Sequence, residues 1–130
     1  MSRIEDKKVS SLEYIEEAEK PGRVIWITGL SGAGKSTLGR AVYARLHDQK
    51  PNVVYLDGDH IREVFGQKTG YTPEDRLNIA FLRSRLCMVL SKQGIDVVCT
   101  TISLFKECHI CNRAHIPVYF EVFLDVPIRT

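Results

Sequence analysis

The sequence predicts an α/β fold, a parallel sheet with helices on both faces in three layers, α/β/α. Three observations predict it. Short apolar runs of strand length recur at Arg23 to Thr28, Val53 to Leu56, Ile95 to Ile102 and Pro117 to Leu124. Segments with apolar residues at helical spacing separate them. A glycine-rich stretch, Gly29-Leu30-Ser31-Gly32-Ala33-Gly34-Lys35-Ser36, joins the first strand directly to the first helix.

That stretch fits the phosphate-binding loop pattern G-x-x-x-x-G-K-[ST] at every fixed position. Its context fits too: a buried strand precedes it, and Thr37 to Leu46 behind it carries apolar residues at helical spacing. Glycines let the backbone curl so that successive N–H groups approach phosphate oxygens. The helix starting near Lys35 aims its positive dipole end at the same anion. Lys35 is placed to reach the β and γ phosphates, and the Ser36 hydroxyl to ligate Mg²⁺. The nucleotide-binding residues expected are therefore Gly29, Leu30, Ser31, Gly32, Ala33, Gly34, Lys35, Ser36 and Thr37, in a P-loop NTPase-type sheet.

The first element in chain order is an accessory helix within residues 1–21. Ser10 is its cap, Glu13 stands three residues on, and Pro21-Gly22 ends it. The core domain then spans 22–130. The second strand, Val53 to Leu56, runs into Asp57-Gly58-Asp59-His60-Ile61-Arg62. Carboxylates at the carboxyl end of a parallel strand stand where open α/β sheets bind ligands, although an aspartate there also serves as a helix cap. A short helix and loop are expected from Glu63 to Gly70. Thr72 as cap, Pro73 at the first helical position and acids in the first turn then open a long helix to about Gln93. Leu77, Phe81, Leu82, Leu86, Val89 and Leu90 are expected on its buried face. The third strand follows Gly94, Ser103 to about Ala114 is expected to be helical, and the fourth strand closes the pattern.

Composition excludes several classes. The chain has 130 residues, 44% hydrophobic and 26% charged, with net charge +2. That charge gives no argument for nucleic acid as a partner, and no apolar run approaches the length of a membrane span. Four cysteines, Cys87, Cys99, Cys108 and Cys111, in a chain without a secretory signal are expected to be reduced thiols of a cytoplasmic protein. Cys108-x-x-Cys111 with His115 has the residue types of a partial zinc site, but a structural site wants four convergent ligands. Reduced thiols near a helix surface are the expectation.

Two absences narrow the phosphate-loop chemistry. No Asn-Lys-x-Asp guanine-reading sequence is present. The third strand ends Thr100-Thr101-Ile102 without the aspartate that many ATPases use for Mg²⁺. Asp57 and Asp59 must supply that charge, which suits a small-molecule kinase holding ATP, Mg²⁺ and an acceptor hydroxyl.

At this point the loop GLSGAGKST, the segments LDGDHIR and GYTPEDR, and Ile102-Ser103 closing the third strand together resemble the adenylyl-sulfate kinase family, over about Gly22 to Thr130. The resemblance implies transfer of the γ-phosphoryl of MgATP to the 3′-hydroxyl of adenosine 5′-phosphosulfate, a reaction of sulfate assimilation. It implies that Asp57 serves the metal and the attacking hydroxyl. Asp59, Arg62 and Arg76 match positions contacting the sulfonucleotide. Tyr71 falls where the family usually has a phenylalanine stacked on the substrate base, and Ile102 lines the same site. Ser103 matches a serine described in the family as a phosphoserine intermediate; direct in-line transfer needs no such intermediate, leaving Ser103 to position substrate. The expected partner is a small nucleotide substrate, with a homodimer left open.

The chain departs from the family pattern Arg-x-x-Asn-x-Arg-Arg. The asparagine position holds Ile79, which by that match is still expected among the substrate-binding residues, and the paired arginines are Phe81 and Leu82. Ile-Ser-Pro becomes Ile102-Ser103-Leu104. A kinase of another nucleotide-linked acceptor, such as cytidine diphosphoramidate, therefore stays open, as does a nucleotide-binding module without transfer. Family members continue past Asp125-Val126-Pro127 into a lid. A domain ending before that lid is expected to bind nucleotide but turn over slowly.

Overall fold

The computed structural model describes residues 19–30, 34–65, 72–102 and 105–125. In chain order they form β1 (Arg23–Gly29), α1 (Lys35–Gln49), β2 (Val53–Asp57), α2 (Gly58–Val64), α3 (Pro73–Lys92), β3 (Asp96–Thr101), α4 (Lys106–His115) and β4 (Val118–Leu124). The expected accessory helix lies outside the described residues except for Glu19 and Lys20, which form a bend.

The strands pair in the order β2-β3-β1-β4, and every pairing is parallel. Alternation along the strands sorts the core into two layers. Val24, Trp26, Val97 and Cys99 pack with Cys87 and Met88 of α3 on one face. Ile27 and Val98 pack with Leu46, Leu38 and Val42 of α1 on the other. A third cluster, Ala80, Phe81, Cys108 and Cys111, joins α3 to α4. The three-layer architecture expected from the sequence is the one observed. Gly39 lets α1 lie close on the sheet: a Cβ there would stand 2.5 Å from Thr100 Cγ2 and 3.1 Å from Tyr55 Cε1.

The start of α3 forms as its sequence signature requires. Thr72 Oγ1 accepts from the Asp75 amide at 3.1 Å, the Thr72 amide donates to Asp75 Oδ2 at 3.4 Å, and Pro73 opens the helix. Its buried face differs from the expected one. Of the expected set only Phe81 is fully buried; Leu77, Leu82, Leu86, Val89 and Leu90 are half-buried. The positions wholly withdrawn from solvent include Ala80, Ser84, Cys87, Met88 and Ser91. These small residues, at helical spacing, allow close approach to the sheet, while the leucines flank the contact. α2 differs as well. It begins at Gly58, directly after β2, rather than near Glu63, because Asp57 caps it.

The amino-terminal edge of the sheet is tied by ions. Asp96, wholly buried, accepts from the Arg23 amide at 2.7 Å and from Arg23 Nη2 at 2.8 Å, with Lys50 Nζ at 3.4 Å. Ser91 Oγ donates to Gly22 O at 2.7 Å beside it. Burial works to raise the Asp96 pKa; the hydrogen bonds from Arg23 outweigh burial and hold it below the ordinary aspartate value. On α4, Arg113 donates to Glu121 of β4 at 2.6 Å, so this arginine serves the packing of α4 on the sheet.

Asp96→Asn is expected to destabilise the fold by about 2 kcal/mol at neutral pH, between the values for exposed and buried ion pairs. A carboxylate whose folded pKa is depressed contributes its stability above its unfolded pKa, about 3.9, and loses it as pH falls through the folded value. Denaturant melts of wild type and variant should therefore differ at pH 7 and converge progressively below about pH 3.9.

Candidate active site at the carboxyl edge

The chain order places a crevice between β1 and β3. β1 leads into α1 on one face of the sheet; β3, its neighbour, leads towards α4 on the other. Adjacent parallel strands whose connections depart to opposite faces leave a cleft at their carboxyl ends, where open α/β sheets take their ligands. Register fixes what surrounds it. Thr28 pairs with Thr101, and Asp57 pairs with Thr100. The ends of β1, β3 and β2 thus form one rim, with Asp57 two strands, or about 10 Å, from the end of β1.

On the β1 side, Gly34 takes φ 91°, a left-handed conformation natural for glycine, and α1 starts at the next residue. The helix has no side-chain cap and no acid in its first turn. The first-turn amides of Lys35, Ser36 and Thr37 have no acceptor within the helix, which makes this end receptive to an anion. Ser36 and Thr37 are exposed. Lys35 Nζ donates to Leu30 O at 2.9 Å, bridging the two ends of the glycine stretch. Ser31, Gly32 and Ala33 lie outside the described residues.

On the β2 side, Asp57 holds both positions its sequence context offered, strand end and helix cap. It is the cap of α2, with Oδ1 accepting from the Asp59 amide at 2.8 Å. It also stands at the rim of the crevice. The cap bond uses one carboxylate oxygen and fixes the plane of the group; Oδ2 remains available. Asp59 is exposed in the first turn of α2, and Arg62 is half-buried in its last.

The remaining expected site residues are dispersed. Arg76 is exposed in the first turns of α3, and Ile79 on the same helix is buried, 2% exposed. Ile102 is exposed, as is Leu30 across the crevice, so two apolar side chains border it. Tyr71 and Ser103 lie outside the described residues. Cys108 and Cys111 are buried rather than near the surface. Cys111 Sγ lies 3.6 Å from His115 Nδ1, and no group of three metal-ligating side chains occurs among the described residues.

One charged residue escaped the sequence reading. Arg83 of α3 is 6% exposed. Burial lowers its pKa, and its electrostatic neighbours are Cys99, Cys108, Cys87 and Arg62. Two of these thiols, Cys108 and Cys87, have raised pKa values. Burial pushes Cys108 up to about 12, and a hydrogen bond with Cys99, together with burial, raises Cys87. An arginine between Leu82 and Ser84, two residues before Arg85, gave no signal of its own.

The family model for adenylylsulphate kinase matches residues 21–130. The chain belongs to the adenylylsulphate kinase family. An adenylyl-sulfate kinase of Deinococcus deserti is 40% identical over 116 residues, covering 86% of this chain and 62% of that protein. A cytidine diphosphoramidate kinase of Campylobacter jejuni is 39% identical over 102 residues, covering 78% of this chain and 59% of that protein. The chain thus spans about three-fifths of the length of these family members. Among solved structures, the Mycobacterium tuberculosis APS kinase CysC in complex with AMPPNP and APS superposes with a TM-score of 0.76 at 31% identity, covering 84% of this chain and 65% of that one.

Lys35→Ala removes the only side-chain cation of the glycine stretch, whose sole hydrogen bond among the described residues is to an exposed carbonyl. It is expected to weaken ADP binding by about tenfold or more while leaving the melting temperature of the free protein within a degree or so. Titration calorimetry and a thermal melt check both.

Proposed function

We propose that this chain carries an ATP-dependent kinase site that transfers the γ-phosphoryl of MgATP to the 3′-hydroxyl of adenosine 5′-phosphosulfate, giving 3′-phosphoadenylyl sulfate. The observation that carries the reading is the shared rim: the anion-receptive start of α1 with Lys35, and the Asp57 carboxylate two strands away, face one crevice. The family, and the likeness to an APS kinase structure whose ligands are AMPPNP and APS, support it.

In this reading the amides at the start of α1 hold the ATP phosphates, and Lys35 turns from Leu30 O to the β and γ oxygens. Ser36 and Asp57 offer hard oxygen donors, a set that suits Mg²⁺, which takes one or two protein ligands and completes its shell with phosphates and water. That ion would neutralise charge on the phosphoryl oxygens. Asp57 Oδ2 takes the proton of the acceptor hydroxyl as its oxygen bonds to the γ-phosphorus. The bond from that phosphorus to the β–γ bridging oxygen breaks, and ADP leaves. The cap bond from the Asp59 amide holds the carboxylate in place for this, so the acceptor oxygen meets a base whose orientation is already set. Asp59, Arg62, Arg76, Tyr71, Ile102 and Ser103 form the acceptor side, with Ile79 packed behind it. Residues 22–130 act as the nucleotide-binding unit.

A second acceptor has a specific observation in its favour. Ile79, Phe81 and Leu82 stand where polar and cationic residues belong in the adenylyl-sulfate kinase pattern, and a curated family member with 39% identity is a cytidine diphosphoramidate kinase. Buried polar contacts discriminate acceptors strongly, so apolar replacements bear on substrate choice before they bear on phosphoryl transfer.

Incubation with MgATP and each acceptor in turn, followed by chromatographic detection of phosphorylated product, decides between them. Product from adenosine 5′-phosphosulfate is the expected result. Product from cytidine diphosphoramidate alone selects the second reading, and nucleotide binding without product from either leaves a binding module. Asp57→Asn keeps a good cap residue, so the melting temperature should hold within a few degrees. Transfer should fall by a factor on the order of 10³ with ATP affinity retained. A fully active Asp57→Asn protein would remove Asp57 from the mechanism.

A further inference from the structure

Arg83 is a buried cation with no anion beside it among the described residues. Its Nε is withdrawn from solvent and has no hydrogen-bond partner. The ionisable groups that act on it are three thiols and a second arginine, Arg62. A solitary charge in a protein interior costs several kcal/mol unless it is paired. Arginine does not escape that cost by losing its proton. The usual partner, a buried carboxylate, is absent among the described residues around it.

Position and direction say where the missing partner comes from. α3 runs antiparallel to the strands, so its first turn stands at the carboxyl edge and its last at the edge tied by Asp96. Arg76, Ile79 and Arg83 follow at i, i+3 and i+7, one stripe of that helix. Side chains on a helix sweep back towards its amino terminus, here towards the crevice. Arg62, at the end of α2, is among the electrostatic neighbours of Arg83, and α2 follows Asp57 at that same edge. The two cations that approach each other there come from different elements.

We propose that Arg83 is a specificity-determining residue of the acceptor site, its guanidinium binding the pair of linked tetrahedral anions, a phosphosulfate or a diphosphate, that the acceptor nucleotide carries at its 5′ end. The assignment rests on the kinase reading above. It gives the site a second cation on α3, beside Arg76, although Phe81 and Leu82 supply none. A planar fork of N–H donors matches two oxygens of such a group, which a lysine at the same place does not.

The test uses protein saturated with Mg²⁺ and AMPPNP, so that the phosphate loop is filled, and measures acceptor binding by calorimetry with adenosine 5′-phosphosulfate and with cytidine 5′-diphosphate as probes. Arg83→Met should weaken whichever acceptor the wild type prefers by about tenfold or more, with AMPPNP affinity unchanged. Its melting temperature without acceptor should be equal or higher, because an unpaired buried charge has been replaced by an apolar chain of similar length. Arg83→Lys should recover only part of the affinity, and it stands in if the methionine variant does not fold. Wild-type acceptor affinity in Arg83→Met, or in Arg83→Lys if that is the variant obtained, overturns the inference and leaves the kinase reading standing. If wild type binds neither nucleotide, the kinase reading fails, and a thermal shift with inorganic pyrophosphate decides Arg83 alone. A shift lost in the variant supports the anion site; equal shifts overturn it.

Discussion

The parallel pairing of β1 with β3 is the constraint on which the site depends. Each strand is nearly or wholly buried, each hands the chain to a different face of the sheet, and their register is fixed by core side chains that alternate between the α1 layer and the α3 layer. A slip of one residue would send Trp26 to the wrong face along with every neighbour on its strand. With register fixed, the crevice at the carboxyl ends follows from topology, and the end of β1, Asp57 and Ile102 arrive at one rim. The Asp96 cluster acts at the opposite edge. It pins the beginnings of β1 and β3 and the end of α1, and so sets the sheet from the end that carries no chemistry.

Asp57 illustrates how a structural and a chemical role coincide. A carboxylate at a strand end costs little where the next residues turn into a helix, because the exposed amides of that helix welcome it. The cap bond consumes one oxygen and immobilises the group. Immobilisation is also what a base or a metal ligand requires, since a fixed carboxylate loses less entropy when the acceptor binds. The two readings of this residue are therefore not competitors.

Most of the architecture was legible because its signals are local and repeated. Four apolar runs and the Thr72-Pro73 start of α3 each act over a few residues, and each formed as expected; the glycine stretch lies between the first strand and helix, with Ser31, Gly32 and Ala33 outside the described residues. The rim was legible because its residues belong to contiguous motifs. What could not be seen depends on packing between elements. The buried face of α3 is lined by Ala80, Ser84, Cys87 and Ser91, which hydropathy ranks below the flanking leucines; the closeness of the helix to the sheet selects small side chains there. The early start of α2 was missed because the aspartate that caps it was read for its chemistry. Arg83 was invisible because one charged residue between Leu82 and Ser84 carries no periodic signal, and only the fold shows that the helix turns it inward.

The burial of Arg83 bears on how this family site is assembled. Two arrangements can present cations to an anionic acceptor: exposed side chains on the helix surface, screened by water, or a guanidinium withdrawn into the protein. In water a charge at 4 Å contributes about 1 kcal/mol; in a medium of lower effective dielectric, near 20, the same contact is worth about 4. The withdrawn arrangement is therefore more selective for charge, and it must be supported by surroundings that neither neutralise the arginine nor hydrate it. Cys87 and Cys108 suit that need: both are buried electrostatic neighbours of the guanidinium with raised pKa values. Deprotonated, either would answer the charge internally and remove the preference for a ligand. Cys87 and Cys108, with no group of three metal-ligating side chains among the described residues, thus have a reason to be present as polarisable neighbours of a cation that has no anion beside it among those residues.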